Sequence, residues 1–155
     1  MLTTVTCRKA TEADVEHLHA LIATYAERGI MLPRSKEALL RAVDSFVVAE
    51  VDGVFAGCGS LCKLGEDLAE IRSLGVVEHF QGQGIGRRIV EMLVDQARRS
   101  GIPKVMALTY EVAFFERLGF TVVAKEIFPE KVWTDCVHCP KRHCCDEIAV
   151  MKRLS

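Results

Sequence analysis

The stretch Leu68-Ala69-Glu70-Ile71-Arg72-Ser73-Leu74-Gly75-Val76-Val77-Glu78-His79-Phe80-Gln81-Gly82-Gln83-Gly84-Ile85-Gly86-Arg87 joins a strand-like apolar run to a glycine-rich turn that opens a helix. Glycines at 82, 84 and 86 let the backbone turn tightly and bring its amides near a ligand with no side chain in the way. Amides exposed at the positive end of a helix favour a diphosphate. Spacing separates the phosphate-binding readings. A nucleoside-triphosphate loop needs Lys-Ser or Lys-Thr at the helix start, and here the chain continues Gly86-Arg87-Arg88-Ile89. A dinucleotide fingerprint needs a third glycine in its own spacing and a later acidic residue. Here Gly82-Gln83-Gly84 is followed by Arg87, and the downstream region reads Ile102-Pro103-Lys104-Val105. The bland alternative is a glycine-rich turn before an ordinary amphipathic helix.

Outward from this stretch, the pattern predicts alternating elements. Val5 to Lys9 reads as a first strand, and Thr11 with Asp14 caps a helix reaching about Arg28, with Val15, Leu18, Ile22 and Tyr25 as its apolar stripe. Pro33 breaks the chain, and Ser35 is the N-cap of a short second helix. Ser45 to Val51 and Val54 to Lys63 flank Asp52-Gly53, a hairpin signal. The strand Leu68 to Val77 follows. Beyond the glycine turn, Ile85, Ile89, Leu93 and Ala97 line one helix face, which ends near Ser100-Gly101. Val105 to Leu108 is a short strand, Val112 to Leu118 a short helix closed by Gly119, and Phe120 to Val123 and Glu147 to Leu154 are final strands. The order predicts an α/β fold with a mixed sheet.

At 155 residues the chain is expected to form one domain spanning 1–155. A net charge of −1 argues against broad attraction to nucleic acid or an anionic membrane, so a small-molecule substrate is expected. No leader-like or membrane-length apolar run is evident, and the expected location is the cytoplasm. The seven cysteines then read as reduced thiols, with a metal site as an alternative to a disulfide framework.

The pattern Gln-x-x-Gly-x-Gly after a mid-chain strand resembles the pyrophosphate loop of the GNAT acetyltransferase superfamily. The element order and the segment Phe114-Phe115-Glu116-Arg117-Leu118-Gly119-Phe120 resemble the same superfamily. The resemblance implies a mostly antiparallel mixed sheet with splayed central strands, and acetyl-CoA as cosubstrate. It implies that the backbone at Leu74, Gly75 and Val76 pairs with the pantetheine arm, an amide there donating to the thioester oxygen as charge develops. Gly75 suits a bulge. Gln81, Gly82, Gln83, Gly84, Ile85, Gly86 and Arg87 hold the diphosphate, Arg87 adding a charge-assisted contact. Because the attacking amine is mostly an ammonium at neutral pH, a base is needed, and Glu70 is the candidate. Strand alternation places Glu70, Arg72 and Leu74 on one face. Many members carry a tyrosine as general acid where this chain has Phe115, which is left as a cofactor-contacting position. Tyr110 is the substitute candidate, with solvent as the alternative.

Tyr25-Ala26-Glu27-Arg28-Gly29-Ile30-Met31-Leu32-Pro33-Arg34-Ser35, Glu70-Ile71-Arg72-Ser73-Leu74, Ala107-Leu108-Thr109-Tyr110 and Pro129-Glu130-Lys131-Val132-Trp133 resemble the acetyltransferase domain of bacterial N-acetylglutamate synthases. That implies acetylation of the α-amine of L-glutamate, the first step of arginine biosynthesis, in a short form lacking the kinase-like domain. Two carboxylates on the acceptor call for at least two cations, and Arg34, Arg72 and Lys131 fall in the segments concerned. Another amino acid or a peptide amine also fits such a clamp. Two further alternatives are a non-catalytic acetyl-CoA or thiol sensor and a zinc-dependent interaction domain. The Cys-rich loop at 136–145 carries a zinc-like set in Cys136, Cys139, His143 and Cys144, with His138 and Cys145 as alternates; reduced thiols without metal are the competing reading. Cys58 and Cys62 read as packing residues. Monomer and homodimer both stay open, the strand edge from Ile148 to Leu154 being the dimer candidate.

Overall fold

A computed structural model describes residues 4–124 and 147–154. In chain order it contains β1 (Val5–Lys9), α1 (Val15–Glu27), α2 (Lys36–Arg41), β2 (Phe46–Val51), β3 (Val54–Lys63), β4 (Leu68–Val76), α3 (Ile85–Arg99), β5 (Lys104–Thr109), α4 (Val112–Arg117), β6 (Thr121–Val123) and β7 (Ile148–Arg153). The strands are hydrogen-bonded in the order β1-β2-β3-β4-β5-β7-β6. Pairing is antiparallel for β1 with β2, β2 with β3, β5 with β7 and β6 with β7, and parallel for β4 with β5. This is the mixed α/β sheet that the element order predicts, with the mostly antiparallel pairing that the family resemblance implies. The parallel ladder runs over Leu68–Glu70 against Lys104–Met106.

The local signals act as their chemistry requires. Thr11 N–H donates to Asp14 Oδ2 at 2.7 Å, and Asp14 N–H to Thr11 O at 2.9 Å, closing a turn of 3-10 helix that leads into α1. Ser35 Oγ accepts from Ala38 N–H at 3.1 Å and starts α2. Asp52 and Gly53 both take positive φ, 50° and 83°, as a two-residue hairpin turn demands.

The described residues divide into two compact units, Met1–Leu61 with Ile71–Gln96 and Cys62–Glu70 with Ala97–Ser155. In the first, α1 and α2 cover one face of β2 and β3: Leu18, Ile22, Leu39, Phe46, Val48 and Cys58 form one buried cluster. On the other face, Gly57 and Gly59 admit α3 closely. A Cβ on Gly59 would stand 2.8 Å from Ile89 Cγ2, and one on Gly57 would stand 2.7 Å from the Gly75 carbonyl oxygen. Arg8 fastens β1, with Nη1 2.8 Å and Nη2 2.9 Å from the Asp14 carboxylate and Nε 3.2 Å from Glu50. The Arg8 guanidinium, with the Thr11 N–H, holds the Asp14 carboxyl below the usual carboxylate range.

The second unit is centred on Leu68, Met106, Ala149 and Met151. Lys152 Nζ donates to Leu118 O at 2.8 Å, supplying a cation at the C-terminus of α4. The dimer candidate needs correction. β7 is not an edge, because it pairs with β5 on one side and with β6 on the other. Among the described residues the ends of the sheet are β1 and β6.

Candidate active site

The glycine-rich turn adopts the geometry an anion cradle needs. Gly82 and Gly84 have φ of 82° and 78°, and a Cβ at either would meet nothing within 4 Å. Glycine is therefore demanded by backbone conformation and not by crowding. Helix α3 begins at Ile85, with Arg88 N–H bonded to Gly84 O at 3.2 Å. Its first turn holds no acidic residue and carries Arg87 and Arg88, while Arg98 and Arg99 occupy the last turn. Cations at a helix N-terminus oppose its dipole, an arrangement that a bound polyanion reverses. Arg87 lies in the open, 3.5 Å from Glu91 across one helical turn. Gln83 is exposed, and Ile85 is buried beneath the turn.

Gln81 does something the motif alone did not reveal. Its Nε2 donates to Tyr25 Oη at 3.1 Å and to Val76 O at 3.3 Å, tying the turn back to the end of β4. Tyr25, expected in the apolar stripe of α1, is the centre of this node. Its hydroxyl donates to Val76 O at 2.7 Å and accepts from Val76 N–H at 3.2 Å. The polar backbone of Val76 is thus already engaged, against the expectation that it is open to pair with a ligand. No periodicity could have shown this, because a tyrosine at a half-buried helical position looks the same whether or not its hydroxyl has a partner.

Gly75 has a different role from the expected one. A Cβ there would stand 2.6 Å from Tyr25 Cε2, so glycine makes room for the ring. The left-handed residue of β4 is Ser73, with φ of 54°. A non-glycine residue in this region carries a conformational cost and needs support from its surroundings. Ser73 falls between Arg72 and Leu74, so the alternation expected to carry Leu74 on the face of Glu70 and Arg72 is interrupted there.

Arg34 and Arg72 both belong to the first unit. Arg34 Cζ lies 5.4 Å from the centre of the Phe46 ring, a cation–π arrangement that fixes the guanidinium on the α2 side of β2. Arg72 is half-buried and its carbonyl accepts a bond from Ser60. Glu70, Tyr110 and Phe115 belong to the second unit. Glu70 is buried opposite Met106 in the parallel ladder. Tyr110 follows β5 and is 38% exposed. Phe115 is buried in an edge-to-face aromatic group, 5.1 Å from both Phe114 and Phe120, which is a packing environment. Lys131 and the loop 136–145, with Cys136, Cys139, His143 and Cys144, lie outside the described residues. Among the described residues no group of three or more His, Cys, Asp or Glu could hold a metal ion, and no helix is long and apolar enough to cross a membrane.

Known proteins resemble this chain in family, in sequence and in structure. Residues 12–120 match the model of the acetyltransferase (GNAT) family. The chain is 43% identical over 150 residues to an uncharacterized N-acetyltransferase of Chlorobaculum tepidum, covering 96% of this chain and 97% of that one. It is 40% identical over 131 residues to an amino-acid acetyltransferase of Mycobacterium tuberculosis, covering 79% and 75% respectively. Among solved structures it is similar to an N-acetylglutamate synthase from Neisseria gonorrhoeae complexed with coenzyme A and N-acetyl-glutamate, with a TM-score of 0.87 and 30% identity. That match covers 98% of this chain and 35% of the synthase chain, so the chain spans about a third of that protein.

Proposed function

The chain belongs to the GNAT acetyltransferase family, and from that premise we propose that it transfers the acetyl group of acetyl-CoA to the α-amine of L-glutamate. The observation that carries the cosubstrate is the start of α3: two left-handed glycines, then a first turn that carries two arginines and no acidic residue. That donor set fits a diphosphate. The likeness to a synthase that binds coenzyme A and N-acetyl-glutamate supports the acceptor.

The cosubstrate supplies an acetyl group on a sulfur that leaves readily; everything else falls to the chain. The amine nitrogen bonds to the acetyl carbon as the carbon–sulfur bond breaks, its electron pair passing to sulfur. An ammonium acceptor gives up two protons overall, one of which ends on the CoA thiol and the other in solvent. Glu70 is assigned removal of a proton from the ammonium, directly or through water, that proton passing on to solvent. Tyr110 is assigned delivery to sulfur, with solvent able to replace it. Arg34 and Arg72, together with Lys131, are assigned to the two carboxylates of the acceptor. The amide of Leu74 is assigned to the thioester oxygen. We place the protein in the cytoplasm, at the entry to arginine biosynthesis.

The test is incubation of purified protein with acetyl-CoA and a panel of glutamate, glutamine, aspartate, lysine and a short peptide, with products read by mass spectrometry. Thiol dyes are avoided because the chain carries seven cysteines of its own. N-acetylglutamate as the dominant product, reduced at least about a hundredfold by Glu70→Gln, is the expected result. Another amine preferred over glutamate would overturn the acceptor, and no product from any amine would overturn catalysis.

A further inference from the structure

Two side chains of β3 face the kink in β4. Ser60 Oγ donates to Arg72 O at 3.1 Å, and Cys58 Sγ donates to Ser73 O at 3.3 Å. Both are buried, Cys58 at 0% and Ser60 at 2% exposure, and they stand two residues apart on one face of β3. In a regular strand successive carbonyls point to opposite sides within the sheet, and side chains of the next strand do not reach them. Here two successive carbonyls turn toward side chains of the same neighbouring strand, and the residue between those peptide planes is Ser73, at φ of 54°.

Peptide planarity then fixes the direction of the amides. In a trans peptide the N–H points opposite to the C=O. With Arg72 O held by Ser60 and Ser73 O held by Cys58, the N–H groups of Ser73 and Leu74 both point away from those two side chains. Successive amides directed to one side form an anion-binding concavity. Amide donors fixed before the reaction, aimed where negative charge develops, are the arrangement that stabilises an acyl-transfer transition state.

We propose that Ser60 and Cys58 are positioning residues for acetyl transfer, latching the carbonyls of Arg72 and Ser73 so that the paired amides of Ser73 and Leu74 face the thioester oxygen. The assignment rests on the acetyl-CoA reading above. It also gives a role to a thiol and a hydroxyl placed two residues apart in the buried interior of β3. Burial pushes the Cys58 thiol up to about 12, so it remains protonated and able to donate throughout the working pH range.

The experiment measures the carbonyl stretch of enzyme-bound acetyl-CoA by isotope-edited infrared spectroscopy, alongside kcat and the Kd for acetyl-CoA. It uses the full chain and the variants Ser60→Ala, Cys58→Ala, Ser60→Thr and Cys58→Ser. In the wild type the stretch is expected to move to lower wavenumber on binding. Each alanine variant is expected to lose most of that shift and roughly tenfold in kcat, with Kd within about threefold. Ser60→Thr and Cys58→Ser, which keep a donor, are expected to restore both. A shift and kcat unchanged in folded alanine variants would overturn the proposal. So would a fall in kcat with the shift retained, since that pattern belongs to a merely structural role. If the alanine variants do not fold, a shift identical across wild type, Ser60→Thr and Cys58→Ser, with no lowering relative to free acetyl-CoA, would also overturn it. The infrared readout needs no acceptor amine. A lowered stretch that depends on Ser60 and Cys58 supports the latch even where glutamate is not acetylated, an outcome that would retire the proposed acceptor alone.

Discussion

The turn at Gln81–Arg87 and the kink at Arg72–Val76 both hold residues in the left-handed region, yet they reach their conformations by different routes. In the turn, Gly82 and Gly84 enter the left-handed region in open space, where only glycine does so without cost. In the kink, Ser73 enters the same region and is held there from outside, by Ser60 and Cys58 on its carbonyl side and by the Tyr25 node a few residues on. One geometry is written into the local residues, and the other is imposed by neighbours distant in the chain. Substitutions in the turn should therefore act locally, whereas substitutions around the kink should spread.

The largest expected effect tests the imposed geometry. Gly57→Ala puts a Cβ 2.7 Å from Gly75 O and 3.2 Å from Ile89 Cδ1, so strand and helix must both yield. A loss of about 2–3 kcal/mol by urea unfolding is expected, against less than ~0.5 kcal/mol for Gly65→Ala, which meets open space without a positive φ. Equal losses at the two positions would break the contrast. Next, Gly84→Ala should cost about 1–2 kcal/mol from its φ of 78° and weaken coenzyme A by roughly tenfold in calorimetry, with the rest of the fold undisturbed in hydrogen exchange. Tyr25→Phe removes the hydroxyl that serves Val76 and Gln81, and a loss of about 1 kcal/mol with faster exchange at the Val76 amide is expected.

A smaller effect comes from Ser73→Gly, which relieves the left-handed residue but gives the unfolded chain more freedom. The two terms oppose each other, and a change within about 1 kcal/mol is expected. The last, silent at neutral pH, is a pH response at Cys58. Its folded pKa is raised by burial to about 12, so its contribution is complete below the ordinary thiol range and declines as pH rises from about 9 toward 12. Alkylation at about pH 8.5, near the ordinary thiol pKa, followed by peptide mapping should label Cys62, which is partly exposed, and spare Cys58 until the chain unfolds.

The same contrast explains what the sequence disclosed. Caps at Thr11 and Ser35, the Asp52-Gly53 hairpin and the α3 stripe are short-range, and each element formed within a few residues of its expected bounds. The shape of the turn was legible because glycine spacing is itself its cause. The kink was not, since strand alternation was extended through Ser73 as if it were regular, and Gly75 was given the irregularity that Ser73 holds. Tyr25 shows the same limit: its hydroxyl partner lies 51 residues away on β4. The placement of β7 was missed for a related reason, because a strand's position in a sheet depends on pairings that no local pattern encodes.

That placement sets an order of events for the nascent chain. β7 is synthesised after β6 but belongs between β5 and β6, hydrogen-bonded to Lys104–Thr109 on one side and to Thr121–Val123 on the other. Until Ile148–Arg153 has left the ribosome, β5 has an open side, and β5 pairing directly with β6 would be an off-pathway contact that must be undone. The brevity of β6, three residues, keeps that contact weak. Ribosome-stalled chains ending before Ile148 should accordingly expose β5 as a sticky strand and depend on chaperones, a dependence relieved once the last interior strand slides into place.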